Sequence, residues 1–296
     1  MLIIPPRRLG ALVGGLLLLA TLALDVFWVW QVLNWPITFL TFVQSMLVLL
    51  SVAWLGLLSY WLWGLLTLKY HLDRNRFFIR WGPTWQIIPL PEIERVEIGL
   101  QLTSRLRYRG ACWPGYWLVH GEVSGAGPTL FYATTPMAQQ VLLVTPSLAY
   151  AISPSEPEAF LREFELRRGM GPTQLVKQSS HQAAFAGWFL WTDRAAQGLI
   201  ISGLLTAAAL FGRLCWHYAA LPERLALHFN DQGQVDRIGQ RSELFALPVI
   251  GLIVLLVNLI LGYLLYRRER PGAYLIWGSA VAVHALLWLA LGQMAG

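Results

Sequence analysis

Five long apolar runs alternate with short polar segments along the chain, and a stretch with a different pattern separates the second run from the third. Each run is close to or above the roughly 20 residues that an α-helix needs to cross the apolar core of a bilayer. We therefore predict five transmembrane helices. They cover residues 9–33, 37–66, 195–216, 245–266 and 273–291.

Residues 67–169, between the second and third runs, show the twofold alternation of apolar and polar residues that is typical of β-strands. Turn-forming pairs such as Gly82-Pro83 separate the alternating segments. About seven short strands are predicted in this stretch. They are drawn from the segments 70–72, 77–81, 85–88, 95–98, 116–123, 129–133, 141–144 and 149–152.

A helix is predicted to follow the last strand. Ser155 and Glu158 have the spacing of a capping box, and Phe160 and Phe164 recur at helical spacing beyond them. We expect these phenylalanines and Leu161 to be buried against strand residues such as Phe78 and Val96. The predicted fold class is a membrane α-helical protein with five transmembrane helices and an inserted all-β barrel, which this C-terminal helix closes at one end.

The pattern also predicts how the chain is divided. Residues 183–191 are apolar but too short to cross a bilayer, so we favour a segment in the membrane interface; the alternative is the buried start of a tilted helix. Thr192-Asp193 then offers an N-cap for the third span. The predicted parts are a helical hairpin (1–66), a β domain (67–169), a linker (170–194) and a three-span domain (195–296) with an outer loop (217–243).

Composition supports a membrane location. Hydrophobic residues make up 56% of the chain and charged residues only 13%, about half of what soluble domains carry. The net charge is +6, but no run of Lys and Arg is long enough to form a nucleic-acid groove, so we expect no nucleic-acid partner. The two cysteines form no metal-binding motif, and neither a metal nor another cofactor is expected.

The positions of the basic residues predict an orientation. Arg7 and Arg8 precede the first span, the β domain and linker are rich in Lys and Arg, and three arginines lie within 267–270. All of these fall on one side of the membrane under the predicted threading, and basic loops are typically cytoplasmic. We therefore expect the N-terminus and the β domain in the cytoplasm, and the outer loop and C-terminus outside the plasma membrane.

The β domain resembles the bacterial pleckstrin-homology (PH)-like family. The resemblance lies in an Ile-Pro-Leu-x-x-Ile-x-x-Val segment (88–96), a Trp-Pro-Gly segment (113–115), a Tyr-Ala-Thr strand (132–134) and a Ser-Pro-x-x-Pro-x-x-Phe helix start (153–160). It implies a PH-like barrel that serves as an interaction or assembly module. Most bacterial members have no established lipid ligand.

Three arginines of the β domain are candidates for contact with the membrane surface. Arg105, Arg107 and Arg109 alternate, so an extended strand would place them on one face. Such a face could contact anionic lipid headgroups. The alternative is a solvated basic loop that only favours the cytoplasmic side.

The outer loop contains the most specific local pattern. Residues 221–237 resemble the L-P…H-F-N-x-x-G-x-x-D loop of a multi-pass bacterial membrane family of largely unknown function, which includes toxin-immunity and signalling proteins. The candidate recognition residues are His228, Phe229, Asn230, Gly233 and Asp236. Asn230–Gly233 predicts a turn, with His228 and Asp236 close enough to interact across it. External recognition, a divalent-metal site and a purely structural turn remain the alternatives.

Polar residues within the apolar runs are also candidates. Asp25 and Arg213 both fall near the outer ends of their spans, where they could pair with each other or reach the headgroups separately. Gly10 and Gly14 form a small-xxx-small step that is suited to close packing of helices.

These features favour a non-enzymatic membrane protein over an enzyme, because the sequence contains no catalytic motif. We expect a scaffold, an accessory subunit of a membrane complex or a signal-coupling protein, which contacts membrane lipids and a protein partner in the membrane. The alternative is a toxin-immunity protein or envelope-stress sensor that acts through the outer loop.

Overall fold

A computed structural model describes residues 1–99, 109–174, 176–181, 192–229 and 235–295 of the chain. Its contacts divide the chain into two units. The first unit comprises residues 1–24 and 51–186, and the second comprises residues 25–50 and 187–296.

Among the described residues, five helices are long and apolar enough to cross a membrane, as predicted. The chain is therefore a multi-pass membrane protein. Asp193 caps the third of these helices, as expected, because its carboxylate accepts the backbone N–H groups of Ala195 and Ala196. The spanning helices are α1 (Arg8–Asn34), α2 (Phe39–Thr67), α4 (Arg194–His217), α5 (Ala246–Tyr266) and α6 (Arg270–Ala295).

Most strands of the first unit form where the twofold pattern predicts them. The structure adds three that this pattern does not reveal, which are β1, β6 and β11. The strands are β1 (Leu2–Ile3), β2 (Lys69–Leu72), β3 (Arg76–Trp81), β4 (Thr84–Pro89), β5 (Arg95–Ile98), β6 (Arg109–Trp113), β7 (Tyr116–Val123), β8 (Gly127–Ala133), β9 (Val141–Val144), β10 (Ala149–Ile152) and β11 (Ser179–His181).

These strands form two sheets and not the closed barrel that we predicted. One sheet has the order β1-β2-β3-β4-β11 and the other the order β5-β9-β10-β8-β7-β6. The chain leaves the first sheet through the 3₁₀ turn Leu90–Glu92, where Pro89 and Pro91 have no N–H group to continue a ladder. In the second sheet β10 pairs in parallel with β8 and antiparallel with β9.

The core of the first unit lies between these sheets and α3 (Pro157–Gly169). Phe160 and Phe164 are fully buried and Val96 packs against this core, as expected, whereas Leu161 is only half-buried. Phe160 packs edge-on against Phe77, with ring centroids 5.7 Å apart. The expectation that Phe78 would be the partner was wrong by one residue, because the alternation of β3 directs Phe77 inward and leaves Phe78 half-buried on the other face.

The predicted capping box at the start of α3 was also wrong. Pro157 is the first residue of the helix, so Glu156 occupies the N-cap position without a side-chain cap. The Ser155 hydroxyl instead donates to the carbonyl of Ile4, at 2.7 Å.

The second unit is built on the packing of α4, α5 and α6. Between α4 and α5 lies an antiparallel hairpin of β12 (Arg224–Phe229) and β13 (Val235–Gln240). The helices approach one another at glycines that receive a side chain from the neighbouring helix. Gly203 receives Leu255, Gly251 receives His284 and Gly262 receives Trp277.

Candidate functional site: the attachment of the β domain to the first two helices

The β domain is attached to α1 by a backbone contact between two glycines. A Cβ atom on Gly10 would lie 2.2 Å from the carbonyl oxygen of Gly115, and one on Gly115 would lie 2.4 Å from the amide nitrogen of Gly10. Gly115 also has φ +81°, a conformation that other residues rarely adopt. Because real Cβ atoms do not approach other atoms so closely, both positions require glycine.

Trp113 reinforces this contact. Its indole Nε1–H donates to the carbonyl of Gly10, at 2.9 Å. Its ring lies 6.2 Å from that of Trp61 on α2 and 4.2 Å from that of Tyr116. One aromatic side chain of the β domain thus contacts both helices. We name the contacts made by Gly10, Gly64, Trp81, Trp113 and Gly115 the junction.

A second glycine fixes α2 against the domain. A Cβ atom on Gly64 would lie 2.1 Å from the ring of Trp81, which is only 4% exposed. The indole N–H of Trp81 donates to the hydroxyl of Tyr116, at 3.1 Å. Tyr60, one turn before Gly64, packs edge-on against the Trp81 ring at a centroid distance of 5.1 Å.

The connection between helix and domain contains almost no free chain. α2 ends at Thr67 and β2 begins at Lys69. The Thr67 hydroxyl accepts the backbone N–H of Gly82, at 2.9 Å, and Arg7 donates to the carbonyl of Leu66. A flexible linker of Gly and Ser would let two parts move independently, whereas here the end of α2 is hydrogen-bonded to Gly82 between β3 and β4.

A buried polar network links β2 to the end of β8 and to Ser153, which follows β10. The Tyr70 hydroxyl donates to the carbonyl of Tyr132, at 2.5 Å, and accepts the backbone N–H of Ser153, at 3.3 Å. The Ser153 hydroxyl accepts the N–H of Thr134, at 2.8 Å. Burial raises the pKa of Tyr70, so the phenol stays neutral and keeps its proton for this bond.

Two tyrosines of the second unit converge on the N-cap of α4. The hydroxyls of Tyr266 and Tyr274 each donate to Oδ2 of Asp193, at 2.5 Å. These bonds, with the backbone N–H groups of Ala196 and Ala195, lower the pKa of Asp193 from 3.8 to about 2. The cap therefore stays ionised at neutral pH and links α4 to α5 and α6.

A polar cluster lies deeper in the second unit. His284 is 2% exposed; its Nδ1 lies 2.8 Å from the Thr206 hydroxyl and its Nε2 lies 3.0 Å from the Gly251 carbonyl. Because a carbonyl can only accept, Nε2 carries a proton. Both ring nitrogens have partners on other helices, so the imidazole contributes to helix association.

A cavity of about 430 Å³ in the second unit is bounded by α2, α4 and α5. Its lining is apolar apart from Thr41, Ser45 and Cys215. Thr41 and Ser45 direct their hydroxyls to carbonyls of their own helix region. The cavity is suited to hydrocarbon more than to a polar substrate.

The two intramembrane residues have different surroundings. Arg213 donates to the carbonyl of Trp288, at 3.1 Å, and its guanidinium lies 4.7 Å from the centroid of the Trp288 ring. Asp25 is buried, at 9% exposure. Their mutual pairing stays a prediction.

The small-residue step of α1, formed by Gly10 and Gly14, contacts the β domain. Gly14 lies against Trp113 as well as against Leu62 of α2.

The outer-loop residues lie on and around the β12–β13 hairpin. His228 is opposite Arg237 and Phe229 is opposite Val235, with a register shift beside each pair. Asp236 lies between the two partner positions on β13 and is exposed. The side chains of His228 and Phe229, and all of Asn230 and Gly233, lie outside the described residues, so their role in recognition stays a prediction.

The candidate headgroup contact is described only in part. Arg109 is exposed at the start of β6, whereas Arg105 and Arg107 lie outside the described residues. The apolar segment 183–191 lies outside them as well.

Within the described ranges, no group of three or more His, Cys, Asp or Glu side chains is arranged to hold a metal ion.

The sequence did not identify the junction. Its residues are separated by up to 105 positions, and no local period relates Gly10 to Gly115 or Gly64 to Trp81. Two signals were present, namely the small-residue step at Gly10 and the Trp-Pro-Gly segment that ends at Gly115.

Comparison with known families agrees with both predicted resemblances. Residues 68–168 match the family described as Bacterial PH domain. Residues 204–252 match the family described as Domain of unknown function (DUF1648), and this match includes the β12–β13 hairpin. No curated protein and no solved structure matches the chain. The protein thus carries a PH-like domain fused to a membrane region of unknown function.

Proposed function

We propose that this protein is a non-enzymatic scaffold, accessory subunit or signal-coupling protein of a membrane complex, in which the PH-like domain moves together with α1 and α2. The observation that carries the proposal is the junction, where glycine backbones of helix and domain are in direct contact. The sequence contributes the second argument, since it contains no catalytic motif.

The physical consequence of the junction is coupling. A change in the tilt or spacing of α1 and α2 cannot be absorbed by a linker, so it reaches the sheet through Trp113 and Trp81. Packed interfaces of this kind have discrete arrangements and deform little in between. A partner that binds the domain can therefore respond to a change among the helices.

Affinity purification of the full chain from gently solubilised membranes tests this proposal. We expect a stoichiometric partner to be recovered with the wild type and lost with Gly64→Leu, which displaces Trp81. Gly56→Leu is the matched control, because a Cβ on Gly56 of the same helix meets nothing within 4 Å. Recovery of the wild type as a lone monomer, or equal recovery of partner with both variants, would contradict the proposal.

We further propose that the chain lies in a bacterial plasma membrane with its N-terminus and PH-like domain in the cytoplasm. The distribution of Lys and Arg supports this orientation. In a chain lacking Cys112 and Cys215, an impermeant thiol reagent applied to intact cells should label a cysteine at Ser242 but not one at Ser124, which is exposed in the β domain. The reverse pattern would overturn the orientation.

The second candidate function is recognition of an external toxin or stress signal by the outer hairpin. It is favoured by exposed apolar side chains on the hairpin, with Ile238 at 67% and Val235 at 47% exposure. A deletion strain complemented with wild type should survive competitor peptides, whereas one complemented with His228→Ala or Asp236→Ala should not. If both variants protect fully, the hairpin is only a connector.

A further inference from the structure

One face of the PH-like domain carries a groove with uncompensated positive charge. It lies on the outward side of β1, β2 and β3 and has a volume of about 290 Å³. Its lining residues are Leu2, Lys69, His71, Arg76, Phe78 and Arg80.

The alternation of the strands builds this groove. In β3 the residues Phe77, Ile79 and Trp81 point into the core, so Arg76, Phe78 and Arg80 must point outward. In β2 the same rule directs Tyr70 and Leu72 inward and leaves Lys69 and His71 outward.

The strand register places like charges together. Lys69 is directly opposite Arg80 in the antiparallel pair, and His71 is opposite Phe78. Opposite residues have Cβ atoms about 5 Å apart, and like charges at this distance destabilise a sheet. The repulsion between Lys69 and Arg80 therefore raises the free energy of the folded domain, and a bound anion would remove this repulsion.

No carboxylate offsets this charge within the part of the chain that the structure describes. Lys69, Arg76 and Arg80 form none of the ion pairs there. The nearest acidic residue in the hairpin is Asp73 at its turn, and Oδ1 of Asp73 accepts the backbone N–H of Arg74 instead. The neighbouring outward positions on β4 are Trp85 and Ile87, which are uncharged.

The groove begins where α2 leaves the membrane. α2 has 29 residues, which corresponds to about 44 Å and matches a bilayer with its headgroups. Lys69 follows the helix end by two residues, or at most about 7 Å of extended chain. The Lys69–Arg80 pair thus lies within about one Debye length, 10 Å, of the headgroup layer.

We infer that this groove binds a phosphate-bearing anion. Arginine guanidinium groups grip phosphate oxygens in a bidentate manner, and lysine adds a point charge. Phe78 and Leu2 provide an apolar surface for the glycerol or carbon skeleton that carries the phosphate. The phosphate comes either from an anionic lipid in the adjacent leaflet or from a soluble organic phosphate. This site is separate from the three alternating arginines considered above and does not depend on the proposed function.

Binding of phosphatidylglycerol and of glycerol 3-phosphate to the purified full-length protein tests this inference. Phosphatidylglycerol is supplied in phosphatidylcholine nanodiscs, and retained lipid is measured by native mass spectrometry. Each Lys or Arg near the surface contributes about fivefold in affinity, so Lys69→Gln with Arg80→Gln should weaken binding about 25-fold. The matched control is Arg162→Gln with Arg168→Gln on exposed positions of α3, which removes the same charge and should leave binding unchanged.

The variant Lys69→Glu separates charge loss from misfolding. It places a carboxylate opposite Arg80, so the sheet should melt no lower than the wild type while anion binding is lost. Retention of phosphatidylglycerol alone identifies the leaflet as the source, and equal binding of glycerol 3-phosphate identifies a soluble ligand. The inference is overturned if Lys69→Glu binds like the wild type, or if the α3 control loses as much affinity as the groove variant.

Discussion

Both units of this protein have glycines that receive a neighbouring side chain, as Gly64 receives Trp81, but the first unit also has a backbone contact between two glycines. At the junction, Gly10 and Gly115 bring two backbones into contact, and Trp113 hydrogen-bonds to the carbonyl of Gly10. In the second unit, Gly203, Gly251 and Gly262 each receive a side chain from a neighbouring helix.

The difference reflects the solvent around each unit. The PH-like domain has an apolar core, in which Phe77, Phe160 and Phe164 are buried together, and burial of apolar surface stabilises it. Helices in lipid gain little from such burial, so packing and hydrogen bonds hold them together. The bonds of His284 and Asp193 to other helices fit this rule.

The largest loss of stability is expected in the PH-like domain, where apolar burial should dominate. Phe160→Ala should destabilise the domain by about 3–5 kcal/mol, because a fully buried aromatic ring is removed. Hydrogen exchange of the β10 amides in the full-length protein measures this change. Leu166→Ala on the same helix is the control, since Leu166 is 58% exposed. Similar exchange in both variants would show that the core is not centred on α3.

A smaller effect is expected within the helical bundle. Thr206→Val removes the hydroxyl that lies against Nδ1 of His284 and should cost about 0.6–2 kcal/mol, the range measured for hydrogen bonds between membrane helices. Thermal unfolding in detergent measures it. Ser202→Ala is the control, because the Ser202 hydroxyl bonds only to the carbonyl of Leu199 on its own helix. A loss as large as that of Phe160→Ala would show that a single hydrogen bond between helices contributes as much as the apolar core of the PH-like domain.

The cap of α4 should contribute about 1 kcal/mol, as other N-caps do. Asp193→Ala removes it, whereas Asp193→Asn keeps an acceptor for the backbone N–H groups. Because the folded-state pKa of about 2 lies below the ordinary value of 3.8, the ionised cap stabilises the protein above that value. This stabilisation should be lost as the pH falls from about 4 to 2, which thermal unfolding across that range measures. The same pH dependence in the Asp193→Asn variant would contradict the assignment.

The smallest effect is expected at the β12–β13 hairpin. Glu243 forms an exposed ion pair with Arg237, at 2.9 Å, and such pairs contribute roughly 0–1 kcal/mol. Glu243→Gln should therefore change the melting temperature little, and added salt should reduce even that difference. A large loss would indicate that the ion pair contributes more than exposed pairs normally do, because the glutamine side chain keeps an oxygen that can accept the backbone N–H of Gln240.

Local periodicity predicted the elements of this fold well. The twofold pattern of β3 and the apolar run of α5 each depend only on neighbouring residues, and both elements form where they were predicted. The pattern was less informative at β6, where Gly110 and Cys112 interrupt the alternation, and at β11, whose three residues are all exposed.

Contacts between residues far apart in the chain could not be predicted from the sequence. A closed barrel was expected because the number of strands suits one. The parallel pairing of β8 with β10, however, depends on contacts between residues far apart in the chain, which the local pattern does not specify. The junction was missed for the same reason, since glycines that require close approach look like any others in the sequence. The basic groove depends on the register that places Lys69 opposite Arg80, which no single strand reveals.

The pairing of β1 with β2 constrains how the chain enters the membrane. β1 precedes α1 and β2 follows α2, yet Leu2 pairs with His71 and Ile3 with Tyr70. Paired strands lie about 4.8 Å apart, whereas the apolar core of a bilayer is about 30 Å thick. Both ends of the hairpin must therefore emerge on the same side, so the chain makes an even number of crossings before the sheet is completed. A chain that inserted only one of the two helices would leave the edge of β2 unpaired, a state prone to aggregation. Completion of the sheet therefore requires that both helices are inserted.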